Sequence, residues 1–117
     1  IYEVYVNKRD MLLVEDNEMD IDQLREGTKE FLNNNGRNPE LSDSPDKAII
    51  SLVNSRGTSY EMYIAVQNEL TAAYNELRNE LAISMYSMNY SELPKAKQKE
   101  IRKTYPMKIS EAPPGEF

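Results

Sequence analysis

The sequence predicts an α+β domain of two layers, a small mixed β-sheet with two main helices on one face. Three observations predict it. Short runs rich in β-branched and aromatic residues occur at 1–6, 11–15 and 48–53, as strands require. Two stretches, after residue 20 and after residue 58, carry apolar residues at steps of three and four, the helical period. Strands and helices are interleaved in the order β-β-α-β-α-α-β, with about four strands, and a sheet covered by helices is the simplest two-layer arrangement for that order.

The first two runs, in "IYEVYVNKRDMLLVEDN", flank the polar Asn7, Lys8, Arg9 and Asp10, a hairpin signature. Tyr2, Val4 and Val6 share one face of the first run, the period of a half-buried strand. Asp20 suits a helix N-cap, with Gln23 placed to reach back and Met19 and Leu24 at the staple positions. Ile21, Leu24, Thr28, Phe31 and Leu32 continue the helix until Asn33–Gly36 offers a glycine stop. "GRNPELSDSPDK" reads as a loop. Residues 48–53 read as a strand buried on both faces.

Gly57 then interrupts the chain, where a positive φ is expected, and Thr58 with Glu61 forms a capping-box pattern. Tyr63, Val66, Leu70, Ala73, Tyr74, Leu77 and Leu81 make the longest apolar stripe of the sequence. A Met/Tyr-rich connection at 83–90 follows, whose Met85, Tyr86, Met88 and Tyr90 are expected to pack inward. It leads to "SELPKAKQKEIRKTYP", a basic helix opened near Pro94 and stopped by Pro106. "MKIS" is expected as a last short strand, and 111–117 as a flexible tail. Residues 1–110 thus form a single domain, with 83–106 as an inserted connection.

Composition narrows the function. The chain has 117 residues, no cysteine, no histidine and a formal charge of −6. Disulfides, thiol nucleophiles, imidazole triads and zinc sites built on those ligands are therefore excluded. A net negative chain lacks the basic footprint of a nucleic-acid binder, and its acidity favours basic partners. Nothing approaches the ~18 consecutive apolar residues of a membrane span. The start at Ile1, without methionine, is what an excised piece of a longer protein would show.

Two stretches resemble sites and fail on spacing. Asn54, Arg56, Thr58, Ser59 and Tyr60 surround a strand-to-helix junction, yet Gly57 is alone and no G-K-[ST] follows, so a phosphate loop is not indicated. Asp16, Glu18, Asp20 and Asp22 alternate like calcium-loop ligands, but Ile21 and Gly27 fall where that loop needs glycine and glutamate. The carboxylates lie mostly on polar faces or in loops. No enzyme, cofactor or metal is expected.

With these elements in place, the chain resembles the periplasmic domain of the ExbD/TolR biopolymer-transport family, in its Bacteroidetes-like version. The residues that carry the resemblance are "YEVYVNKRDMLLVEDNEM" for the hairpin, "DIDQLREGTKEFL" for the helix entry and "AIISLVNSRGTSYEMYIAVQNEL" for the strand, turn and second helix. Tyr60 falls on the family's tyrosine. Asn54 stands where the family usually has aspartate, and the insertion at 83–106 is a second departure.

The resemblance implies a non-catalytic interaction domain on the periplasmic side of the inner membrane. It would belong to an accessory component of a TonB-ExbB-ExbD-type complex driven by the proton motive force for outer-membrane import. Its partners would be TonB-like and ExbB-like proteins and a second copy in a homodimer, with anchoring by a transmembrane helix absent from this sequence. A TolR-like, peptidoglycan-binding role in envelope maintenance is the alternative, and a soluble adaptor of the same architecture is another. The partner-binding residues expected are Asn54, Tyr60, Met107, Lys108 and Ile109, the last three as an edge strand open to strand addition.

Overall fold

The computed structural model describes residues 1–34 and 44–115. Gly36 and most of the loop assigned to residues 36–47 lie outside the described residues. The elements are β1 (Tyr2–Val6), β2 (Leu12–Val14), β3 (Asn17–Glu18), α1 (Ile21–Leu32), β4 (Ile50–Ser55), α2 (Tyr60–Tyr86), a short 3-10 turn (Tyr90–Glu92), α3 (Lys95–Thr104) and β5 (Ile109–Gly115). The class is the α+β class expected, with five strands rather than about four.

The sheet runs β3-β2-β1-β4-β5, antiparallel from β3 to β1 and parallel from β1 to β5. Both parallel connections step in the same direction across the sheet. Crossovers of one hand therefore bring α1 and α2 to the same face. That face supplies Tyr2, Val4, Val6, Leu12, Val14, Ile50 and Leu52 to one core with Leu24, Phe31 and Leu32 of α1 and Val66, Leu70, Tyr74 and Leu77 of α2. Tyr2 stacks on Phe31 with ring centroids 4.7 Å apart. The opposite sheet face carries Glu3, Tyr5, Leu13, Ser51 and Val53, none of them buried. β4 is thus buried on one face and not on both, because none of the described helices reaches the other side.

The hairpin closes through Asn7, whose side-chain oxygen accepts from the N–H groups of Arg9 and Met11 at 2.9 and 3.0 Å. The extra strand β3 follows a two-residue turn in which Glu15 and Asp16 have φ of 51° and 66°, the tight turn whose twist suits a hairpin. At the start of α1, Asp20 N–H donates to Gln23 Oε1 at 3.4 Å, as its capping pattern predicts. Two other expectations shift. Ser59, not Thr58, caps α2, its hydroxyl accepting from Met62 N–H at 3.1 Å, while Thr58 turns its hydroxyl to Val6 O and Asn7 O, both at 3.2 Å. Gly57 is not at positive φ. A Cβ there would stand 2.6 Å from Lys8 Cβ, so glycine is needed for the close approach of two turns.

α2 is longer than its apolar stripe suggested and runs to Tyr86, where Ser87 at φ 55° ends it in the left-handed conformation. Its last turns hold a second, smaller cluster made of Ala82, Leu93 and Ile101, with Leu81, Tyr86 and Tyr90 beside it. Met85 and Met88 do not pack inward; they are 55% and 39% exposed. Residues 111–115, expected in a tail, continue β5. No helix among the described residues is long and apolar enough to cross a membrane.

Candidate partner-binding edge

β5 lies at one edge of the sheet and pairs with β4 in parallel, Ile109 opposite Ile50 and Glu111 opposite Leu52. Ile50 N–H donates to Lys108 O at 2.9 Å. In a parallel ladder the residues that bond to the neighbour alternate with residues whose N–H and C=O point away. Lys108 faces β4, so the amides of Ile109 and Glu111 face outward, where no other strand lies among the described residues. Pro113 shares that outward phase and has no N–H. The ladder to β4 shifts between Val53 and Ser55, alongside Pro113 and Pro114, neither of which can donate to a neighbouring strand. The edge therefore offers two successive donors and then ends.

Side chains fix this strand from the helix side. Ile109 packs against the core. Glu111 accepts from Tyr63 Oη at 3.0 Å and from Gln67 Nε2, and Gln67 Nε2 also reaches Tyr63 Oη at 2.9 Å. The Glu111 carboxylate beside it raises the Tyr63 phenol above its ordinary pKa. At the entry to β5, Lys108 N–H donates to Tyr74 Oη at 3.4 Å and Lys108 Nζ to Asp46 O at 2.6 Å. Burial raises the Tyr74 pKa, keeping this phenol protonated. Met107 is exposed and precedes the strand.

The sequence-predicted site residues fall into two groups, one at the edge strand and one off it. Met107, Lys108 and Ile109 lie beside Ile50, where β4 begins, while Asn54 lies at its far end and Tyr60 opens α2 beyond it. Four strand steps, ~13 Å, separate Ile50 from Asn54. Tyr60 is 75% exposed. Asn54 Oδ1 is buried and accepts no hydrogen bond from the described residues, an omission rare enough in native proteins to mark the position. It sits where the β4–β5 ladder is interrupted.

Sequence reasoning missed the length of β5, the cluster of Glu111 with Tyr63 and Gln67, and the role of Asp10. Asp10 stands at φ 60° in the β1–β2 turn and accepts from Ser59 N–H at 2.8 Å. That backbone donor lowers the Asp10 pKa, and the carboxylate occupies the N-terminus of α2, where negative charge is favoured. No sequence signal connects residues 10 and 59. The four acids of the calcium-like stretch are dispersed over the β2–β3 turn, β3, the α1 cap and the first turn of α1. Among the described residues no cluster of three acids could hold a metal ion. No family model matches the chain, and no curated protein matches it.

Proposed function

We propose that this chain is the periplasmic, partner-binding domain of a membrane-anchored accessory component in a TonB-ExbB-ExbD-type complex driven by the proton motive force. The observation that carries the reading is the outer edge of β5. Its two outward amides, Ile109 and Glu111, suit the addition of an extended partner strand, main-chain bonds giving affinity and side chains giving selectivity. The chain charge of −6 suits a lysine-rich segment of a TonB-like partner and makes the encounter sensitive to salt. The same outward amides would also accept a second copy of the chain, one geometry for the homodimer that the resemblance implies.

The test is titration with a lysine-rich peptide from the extended segment of a TonB-like protein, followed by amide NMR. Glu111→Pro removes one outward N–H without removing a bond to β4, and Glu111→Ala controls for the lost side chain. The expected outcome is retarded exchange of the Ile109 and Glu111 amides on binding, with affinity kept in Glu111→Ala and lost in Glu111→Pro. Equal affinity of both variants for the peptide would sink the edge as the binding site. Protection of these amides without peptide, lost on dilution, would assign the edge to the homodimer.

A further inference from the structure

The sheet face that no described helix covers is not the polar face its position predicts. A solvated face should alternate to polar side chains, and parallel strands are normally covered on both sides. Here Leu13, Tyr5 and Val53 stand side by side across β2, β1 and β4, as the registers Tyr5↔Leu13 and Tyr5↔Val53 place them. Their neighbours Val4, Val6, Leu12, Val14 and Leu52 belong to the core, so alternation turns all three outward. None of them is buried. An apolar row thus crosses the middle of an open face, the kind of surface that marks an interaction.

The charges on this face are sorted by the row. Two residues from Tyr5 on one side lies Glu3, and the Glu15 carboxylate joins it by accepting from Glu3 N–H at 3.0 Å. On the other side the chain reaches Asn7 and then the exposed Lys8 and Arg9 of the β1–β2 turn. Tyr5 separates two hollows of about 360 Å³ each; Glu3, Ser51 and Val53 line one, and Asn7, Lys8, Arg9 and Met11 line the other. Among the described residues, Glu3, Glu15, Lys8 and Arg9 form no ion pair. Lys108, two strands from Glu3 on the same side of the row, is turned to the Asp46 carbonyl.

We infer that this open face pairs with the same face of a second copy, about a two-fold axis that runs along the Leu13–Tyr5–Val53 row. Rotation about that line lays the row on itself and exchanges its two sides. The Glu3 side of each copy then meets the Lys8 and Arg9 side of the other. The heights agree, because two to three residue steps, about 7–10 Å, separate each charge from the row. Acid, apolar row and base in that order along one strand direction are complementary to themselves, which decides for a second copy over an unrelated chain. The chain charge of −6 opposes self-association at other surfaces, whereas here each contact joins opposite signs. The patch is about 20 Å across, so the pair belongs to the small, transient class of interface. It leaves the outward amides of Ile109 and Glu111 uncovered at the sheet edge and does not depend on the reading of that edge.

The experiment is sedimentation equilibrium of the whole chain from about 10 µM to about 1 mM, the range of weak contacts. Two variants carry it, Glu3→Lys and the double variant Lys8→Glu with Arg9→Glu. Each sets like charges across the axis and is expected to weaken self-association at least about tenfold, even though Glu3→Lys lowers the net negative charge. In an equimolar mixture of the two variants both contacts again join opposite signs, so the mixture should associate as the unmodified chain does. Glu111→Pro should leave the association unaltered. A chain that stays monomeric throughout the range, or association indifferent to both charge variants, would overturn the inference. So would a mixture no more associated than its components, or association lost in Glu111→Pro and kept in the charge variants.

Discussion

α2 is one helix in two settings. From Tyr63 to Leu77 it lies on the sheet and α1, within a core that takes sixteen buried residues from among those described, whereas beyond Leu81 it is held by a cluster with three. The first setting also has an ionic clasp: Arg25 binds Glu69 and Glu76 at 2.7 and 2.8 Å, and Lys29 binds Glu76 and Glu80 at 3.3 and 3.0 Å. Burial works against the Lys29 ammonium, but Glu80 and Glu76 outweigh it and raise its pKa. In the second setting no ion pair among the described residues ties α3 to α2. The difference teaches that packing is divided unevenly along the helix. The sheet end is built to stay folded, and the α3 end keeps a small core.

The division should show first in stability. Leu70 and Ile101 are both fully buried, one in each cluster. Leu70→Ala is expected to lower global stability by about 2–5 kcal/mol, the usual range for a core leucine. Ile101→Ala removes a similar area, yet its effect on the whole domain is capped by the free energy of opening α3 locally. Urea unfolding should therefore place Ile101→Ala at least about 1 kcal/mol above Leu70→Ala, with hydrogen exchange faster in α3 alone. Equal losses in the two variants would show one cooperative unit and break the comparison.

A smaller effect separates the two ends at alkaline pH. The Tyr2 phenol, in the main core, is pushed up to about 12 by burial, with a Thr28 hydrogen bond pulling the other way. The folded state thus keeps a proton that the unfolded chain releases near 10. Its stabilisation is complete below pH ~10 and is lost as pH rises towards 12. Tyr86, at the other end, is raised chiefly by its hydrogen bond to Glu100. Glu100→Gln should return Tyr86 towards its ordinary value and leave Tyr2 unchanged in an ultraviolet titration. A shift of Tyr2 in that variant would mean that the two ends are electrostatically coupled.

Legibility in the sequence follows the same division. Where many residues share one period, as in the α2 stripe or in Tyr2, Val4 and Val6, the element and its buried face were readable. Asp20 with Gln23 was readable because both halves of the cap lie within one turn. β3 was not, since two residues carry no period, and neither was the extension of β5 through Pro113 and Pro114, because proline argues against a strand except at an edge. The inward packing expected of Met85 and Met88 failed because composition gives no direction: Met85 is on the exposed side of α2, and Met88 lies past its left-handed cap Ser87. At the candidate site, Ile109 was readable as an edge residue. The isolation of Asn54 Oδ1 and the hydrogen bonds of Glu111 arise only when α2 and β5 meet in space.

The contact between Asp10 and α2 is the smallest of these effects and the most local. Asp10 is held in a left-handed turn by the hairpin, so its carboxylate reaches Ser59 N–H without any helix residue moving. The donor favours the charged form and lowers the pKa below its ordinary value of 3.8. The folded state therefore holds this proton less tightly than the unfolded chain, and the stabilisation is present above the ordinary pKa. It is lost as pH falls through the lowered one. Asp10→Asn should abolish that acid-side dependence and weaken the first turn of α2, seen as faster exchange of the Ser59 amide, while α3 is unaffected. If the variant loosens α3 as well, the capped start of α2 is coupled to its far end through the whole helix, and the two settings are one.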